Sequence, residues 1–207
     1  DKNTEWQRPW FIKHFDETVK RKSNRLIIAD FGMTPDRRKW AETQGYILNC
    51  NSDGWFSKVE AMMKALYTMG PGYYCWLDTD CEIAGRVDHI FDLSEPYKLG
   101  MVEDRPWTAR RNELGKWYNS GVVLIEGTPK ILKDWANECL SNPVQGDQEV
   151  LYLMMGGDEI KKLSFINPLP HTYNTLRLDY IDNIAVENPR IIHHTGEKGN
   201  NVIRKQL

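Results

Sequence analysis

In the first eighty residues, short apolar runs alternate with stretches whose apolar positions recur at helical spacing. Trp10, Phe11, Phe15 and Val19 fall on one face of a helix opened by Pro9 and broken at Asn24. Residues 25–29 form an apolar run, predicted as a strand that ends in the loop 30–33. Thr34-Pro35 supplies a helix cap and a proline at the first helical position, so a helix is expected to about Thr43, where Gly45 follows. Residues 46–48 make a second strand, with its loop at 49–54. The next helix covers 55–69, with Phe56, Val59, Met62, Met63 and Leu66 facing inward and Lys58 in its first turn. Gly70-Pro71-Gly72 stops it. The run Tyr73-Tyr74-Cys75-Trp76-Leu77 then reads as a buried strand of a parallel sheet.

The second half is less regular. Residues 87–93 suggest a surface turn. Residues 99–102 suggest a strand, followed by a charged loop at 103–106. Residues 117–121 lead as a turn into the strand 122–125, and Thr128-Pro129 starts an amphipathic helix through Leu140. Gly146-Asp147-Gln148 opens a helix over 149–155, 164–166 is a short strand, and a last strand ends in Ile191-Ile192-His193-His194 before the loop 195–199. Strands alternating with helices predict an α/β fold, and without a repeat or linker the expectation is one domain over 1–207.

The 207 residues are enough for a substantial core. The net charge of −2 gives no footprint for nucleic acid or an anionic membrane surface. No apolar stretch is long enough to span a bilayer, and no signal peptide is visible. Cys50, Cys75, Cys81 and Cys139 form no CxxC pair, so reduced structural thiols in a cytoplasmic setting are expected. The eight tryptophans read as core more readily than as sugar-stacking platforms.

The candidate chemistry starts at Asp78 and Asp80, which end the apolar run 73–77. Ligands of open α/β sheets bind outside the carboxyl ends of strands. In an extended segment these two side chains would point the same way, toward one hard divalent cation. Alone, the pair is equally two solvated aspartates in a turn. A phosphatase of the haloacid dehalogenase type would want a small hydroxyl residue where Glu82 stands, and no glycine-rich nucleotide loop is present. His193 or His194 could give a neutral nitrogen to a metal, Gly196 lets a backbone approach a diphosphate, and Lys198 could neutralise it. The bland alternative is a packed or surface histidine pair. Asn119-Ser120-Gly121 could face a sugar or merely form a turn. Asp147 could be a simple helix cap, and Lys58 a solvated lysine.

Six blocks in order carry more weight than any one of them: Trp55 with Lys58, LDTD, YNSGVVLI, GDQEVLYLM, PLPHTYN and IIHHTGEKG. Together they resemble the GT-A glycosyltransferases, nearest the glycogenin and galactosyltransferase-like family 8, with some similarity to family 34. The resemblance implies a Rossmann-like α/β/α sandwich around a mostly parallel mixed sheet, with the DxD pair at the end of a central strand. It implies transfer of a sugar from a nucleotide-sugar donor, usually a UDP-sugar, to a glycan hydroxyl, with Mn²⁺ or Mg²⁺ as cofactor. Asp78 and Asp80 match the DxD that holds metal and diphosphate, and His193 matches a metal-ligand histidine. Lys198 matches a diphosphate lysine, with Gly196 and Lys58 also on the donor side. Asn119, Asp147 and Gln148 match residues around the donor sugar. Retention, as in family 8, needs no strong base, whereas inversion needs a carboxylate such as Asp147 or Glu149. Two departures stand out. Gly199-Asn200 follow Lys198 where the family usually has Pro-Trp after a lysine one residue further on. The family's first, nucleotide-binding strand has no counterpart before Trp10. The competing readings are a silent nucleotide- or sugar-binding module on the same fold, and a metal-dependent phosphatase or nucleotidyltransferase.

Overall fold

The computed structural model describes residues 3–19, 24–50 and 57–207. Helix α1 (Arg8–Thr18) carries Pro9 in its first turn and buries Trp10, Phe11, Ile12 and Phe15. Strand β1 (Ile27–Asp30) pairs in parallel with β2 (Tyr46–Asn49), across α2 (Pro35–Glu42). Helix α3 (Lys58–Met69) stops at Gly70, whose φ of +88° suits glycine, and leads into β3 (Tyr73–Leu77). A short strand β4 (Cys81–Ile83) follows at once.

The main sheet adds β5 (Leu99–Glu103), β6 (Tyr118–Glu126) and β7 (Ile166–Pro168), in the order β3-β6-β5-β7. Along β6, Val122 to Ile125 are at most 1% exposed. This apolar run is therefore covered on both faces, and each side chain contributes about 1.5–3 kcal/mol. Val123 and Ile125 face a core built with α3, α5 (Lys130–Ser141) and α6 (Asp147–Met155), while Val122 and Leu124 face a second core built with α1. A third sheet, β4-β9-β8, joins β4 to β8 (Thr175–Leu176) and β9 (Ile191–His193). Helices α4 (Arg105–Arg110), α7 (Glu159–Phe165), α8 (Arg177–Ile181) and α9 (Gly196–Arg204) complete the described α-helices. None is long and apolar enough to cross a membrane.

The α/β layering follows the expected alternation, and several local expectations are corrected. Strand β3 is antiparallel to β6 and only partly buried, because among the described residues nothing hydrogen-bonds its other edge. Pairings in the three sheets divide evenly between parallel and antiparallel, so the fold is less parallel than the alternation suggests. The region 103–106 is not all loop, since Asp104 accepts from the Trp107 N–H and caps α4. Asn119-Ser120-Gly121 lies inside β6 rather than in a turn before it. Residues 164–165 end α7. The expected loop 195–199 is mostly the first turn of α9. Residues 88–93 form a 3-10 helix that buries Ile90. Thr34 spends its hydroxyl on Glu5 rather than on capping α2. Residues 51–56, including Trp55 and Phe56, lie outside the described residues.

Asp30 anchors the turn after β1. Its carboxylate accepts from the N–H groups of Gly32 (2.9 Å) and Met33 (2.7 Å) and from Arg38 (2.6 Å). Burial pushes its pKa up, but these donors outweigh burial and hold it below the ordinary value. Its stabilising effect is therefore complete above the unfolded pKa of about 3.9 and is lost as pH falls through the lower folded value. Asp30→Asn should cost about 1–3 kcal/mol at neutral pH. Chemical denaturation at several pH values should show this cost shrinking toward pH 3, and a cost that does not change with pH would rule out the ionic contribution.

Candidate active site at the end of β3

The chain leaves β3 at Asp78 and turns through Thr79 and Asp80, closed by Cys81 N–H to Asp78 C=O at 3.1 Å. The two carboxylates therefore sit in a turn, not on an extended segment, and they face different partners. Asp78 accepts from Trp76 Nε1 (2.7 Å) and from Lys58 Nζ (3.1 Å). Asp80 Oδ1 lies 3.2 Å from His193 Nε2. What joins residues so far apart in sequence is the β4–β9 ladder, which pairs Cys81 with His193 and lets Asp80 C=O accept from the His194 N–H at 2.9 Å. Side chains alternate along a strand. His194 accordingly points the other way, to Glu82 at 2.8 Å and edge-on to Trp10.

Gly121 makes room for this arrangement, because a methyl group there would run into the imidazole of His193. A directed hydrogen-bond relay then fixes the ring. The carboxylate of Asp104, 1% exposed, only accepts, so it takes the amide N–H groups of Asn119 (3.1 Å) and Gln148 (3.0 Å). Asn119 Oδ1 is thereby turned toward Gly121 N (2.9 Å) and the amide of Asn174 (2.8 Å). Asn174, fully buried, in turn aims its Oδ1 at His193 Nδ1, 3.2 Å away. An oxygen at Nδ1 requires the proton there. In the neutral ring, the lone pair of Nε2 then faces the carboxylate of Asp80, and two acceptors at that distance need a cation between them.

A proton shared with the ring is one cation that suits the gap. Burial lowers the His193 pKa, but Asp80 outweighs it and raises it. Burial likewise raises Asp80, yet His193 outweighs it and holds Asp80 low. Asp78 is raised, first by burial and then by the charge of Asp80, against the pull of Lys58. A divalent transition-metal ion also suits the pair, since such ions take both imidazole nitrogen and carboxylate oxygen as ligands. The Cys81 sulfur lies in the same cluster, within 4.8 Å. Burial raises the pKa of this thiol well above the ordinary value, so it contributes packing rather than a thiolate.

Lys58 is not a solvated lysine. Its side chain is 13% exposed and lies between Asp78 and Asp147 Oδ2, the latter at 3.3 Å. Burial disfavours its charge, but the two carboxylates more than compensate and raise its pKa. Asp147 is in place because α6 starts there, after Gly146, and because its carbonyl accepts from Trp135 Nε1 at 2.8 Å. Gly196, with φ +73°, lines the same cleft at the N-terminus of α9. Lys198 is exposed in the first turn of α9 and forms no ion pair among the described residues.

Asp78, Asp80, His193, Lys58, Asp147, Asn119 and Gln148 are thus brought into one connected region, and Lys198 stands apart. Sequence reasoning missed two members, Asp104 and Asn174. Asp104 carried a signal, being an acidic residue just past a strand, as Asp78 is. Asn174 ends the PLPHTYN block, but nothing local marks it as the partner of a histidine.

Neither a protein-family model nor a curated protein sequence matches the chain. Solved structures do. The galactosyltransferase LgtC, solved with donor and acceptor sugar analogues, superimposes with a TM-score of 0.70 at 15% identity, over 95% of this chain and 85% of LgtC. The glycosyltransferase GlyE of Streptococcus pneumoniae TIGR4 gives 0.63 at 17% identity, over 92% of this chain but about half (51%) of its own. A glycosyltransferase involved in glycosylation of the PBCV-1 major capsid gives 0.54 at 13%, over 95% and 91%. The chain has the GT-A fold. At these identities the likeness is one of fold, and the chemistry rests on the residues above.

The relay makes a metal-independent prediction. In ¹⁵N-resolved imidazole spectra at alkaline pH, neutral His193 should carry its proton on Nδ1. Asn174→Ala should mix the tautomers at a stability cost of about 1–3 kcal/mol. An Nε2–H ring in the unmodified protein would break the relay as drawn.

Proposed function

We propose that this protein is a metal-dependent glycosyltransferase that moves a sugar from a nucleotide-sugar donor, a UDP-sugar, to a hydroxyl of a glycan acceptor. The observation that carries the proposal is the Asp80–His193 pair, two acceptors aligned by a buried relay, with Asp80 lining the polar end of a cleft of about 1270 Å³. LgtC, on the same fold, is described with donor and acceptor sugar analogues.

In this reading Asp80 and His193 hold Mn²⁺ or Mg²⁺, with Asp78 beside them. The metal would neutralise charge on the diphosphate as it leaves. Gly196 and the free N–H groups at the start of α9 receive diphosphate oxygens, and Lys198 adds its charge when the donor is bound. Lys58, held protonated between Asp78 and Asp147, sets the positive charge behind the leaving group. Asn119 and Gln148, both oriented by Asp104, present fixed amides to the donor sugar.

The carboxylates near the sugar are already engaged. Asp147 pairs with Lys58, Asp104 holds two amides, and Glu149 lies 3.2 Å from Arg111. None stands as a ready general base, which favours retention of configuration over inversion.

A panel of nucleotide sugars with Mn²⁺, read by nucleoside diphosphate release, tests the proposal. Turnover should require a divalent ion and fall at least about 100-fold in Asp80→Ala and in His193→Ala. Anomeric analysis of the product by NMR should show retention. If no donor is turned over and UDP with Mn²⁺ leaves thermal stability unchanged, the enzyme reading is lost.

A further inference from the structure

A second, smaller pocket of about 290 Å³ borders the relay. Asp104, Asn119 and Gln148 line it, so it adjoins the amides assigned above to the donor sugar. Its other walls use side chains that have had no part in the chemistry so far. These are Trp107 of α4, Arg111 just beyond that helix, Glu149 of α6 and Leu178 of α8.

The walls are held in place from behind. The rings of Trp117 and Tyr152 stack with centroids 3.7 Å apart. The Arg111 guanidinium lies over Trp117 at 4.9 Å and over Trp107 at 5.8 Å, a cation held against two aromatic faces. Trp117 Nε1 donates to the carbonyl of Arg111 at 2.5 Å, and the Tyr152 hydroxyl accepts from the Leu114 N–H at 2.6 Å. Lys162, fully buried, donates to the carbonyls of Leu114 and Lys116. A lysine and two aromatic rings therefore clamp the chain from 111 to 117. Arg110 reaches both carboxylate oxygens of Asp182 at 2.8 Å, which ties α4 to the end of α8. The pocket is thus formed before any ligand arrives, and binding there spends little on ordering its walls.

The exposed chemistry is that of a hydroxyl-rich ring. Arg111 and Glu149 keep 42% and 36% of their side chains exposed, and Trp107 is 40% exposed. Among the described residues the guanidinium has one hydrogen-bond partner, Glu149 Oε1 at 3.2 Å. Free donors on one side chain thus stand beside free acceptors on the other. Two neighbouring hydroxyls, each able to donate and accept, match such a pair. The indole of Trp107 offers an apolar surface to the C–H face of a sugar. The volume lies near the lower limit of the roughly 300–1,000 Å³ of ligand pockets, which suits one ring rather than a long segment. The carboxylates of Asp104 and Glu149 outnumber the one guanidinium in the lining. A sugar bearing a carboxylate or phosphate would add a third negative charge, and like charges brought together disfavour binding.

We propose that this pocket is the acceptor subsite and that it selects the terminal ring of a neutral glycan. Trp107 covers the ring, and the Arg111–Glu149 pair holds two neighbouring hydroxyls. The proposal rests on the glycosyltransferase reading above and names its acceptor class. Asn119 and Gln148 become the wall shared by donor sugar and acceptor, so an acceptor seated here lies beside the groups that hold the donor. Glu149 acts in binding, tied to Arg111, and takes no proton.

The test has a binding arm and a turnover arm. Saturation-transfer NMR is read on the whole chain, with and without UDP and Mn²⁺, using the methyl glycosides of glucose, galactose and mannose against glucuronate and glucose 6-phosphate. At least one neutral glycoside should bind, more tightly than either anionic sugar. Its affinity should fall about tenfold in Trp107→Ala and in Arg111→Ala, and Trp107→Phe should restore most of it. Each variant should melt within a few degrees of the parent, because both side chains are partly exposed. With a donor that is turned over, Glu149→Gln should raise the acceptor KM about tenfold and leave kcat within about threefold. Tighter binding of the anionic sugars, no binding of any glycoside, or binding unchanged by Trp107→Ala would overturn the proposal. So would a collapse of kcat at unchanged KM in Glu149→Gln, which would make that residue a base. The binding arm needs no turnover, so failure of the pocket and failure of the enzyme reading are told apart.

Discussion

The contact on which the site depends is that between Asp80 and His193. A carboxylate and a ring nitrogen held 3.2 Å apart are stable only with a positive charge between them. The fold enforces the approach from two sides. The β4–β9 ladder fixes the backbones, and Gly121 leaves the space that the imidazole fills. The relay from Asp104 through Asn119 and Asn174 then sets which nitrogen faces the carboxylate. A buried polar chain of this kind is costly unless every member is satisfied. Here each amide has a definite orientation because one end of the chain, Asp104, can only accept.

Charge balance in the cleft is the second constraint. Asp78, Asp80 and Asp147 would repel one another in a partly dry pocket. Lys58 offsets two of them, and His193 offsets the third. The raised Lys58 and His193, the lowered Asp80 and the raised Asp78 all express this crowding. A lysine tied to two carboxylates is a fixed charge rather than a proton donor. That separates its role from the base chemistry an unpaired residue could perform.

The same cleft has two characters along its length. Its polar end is built by residues that converge from α3, the turn after β3, α6 and α9, and its apolar end by two helices and by two strands, β1 and β3, each paired on one edge among the described residues. The polar end depends on the apolar one, because the turn that carries Asp78 and Asp80 is the direct continuation of β3. Whatever steadies that strand edge also steadies the carboxylates.

Much of this is legible in the sequence because it is local. The apolar runs at 27–29, 73–77 and 122–125, the Pro9 helix and the Gly70 stop are dictated by side-chain pattern and backbone preference, and the structure has them. The carboxylates at the end of an apolar strand and the Asn-Ser-Gly and Asp-Gln blocks can be recognised in the same way. What the pattern cannot contain is pairing. A five-residue apolar run reads the same in a parallel or an antiparallel partnership, so the pattern alone gives β3 the wrong neighbour. A DxD spacing does not say that its two members turn to different partners, one to Lys58 and one to His193. Asn174 looks like any loop asparagine, and Asp104 like part of a charged loop, until the chain folds and brings them to Asn119. Local residues determined the elements and the kinds of chemistry available. Only tertiary contacts, some of which join positions more than a hundred residues apart, decided which groups meet.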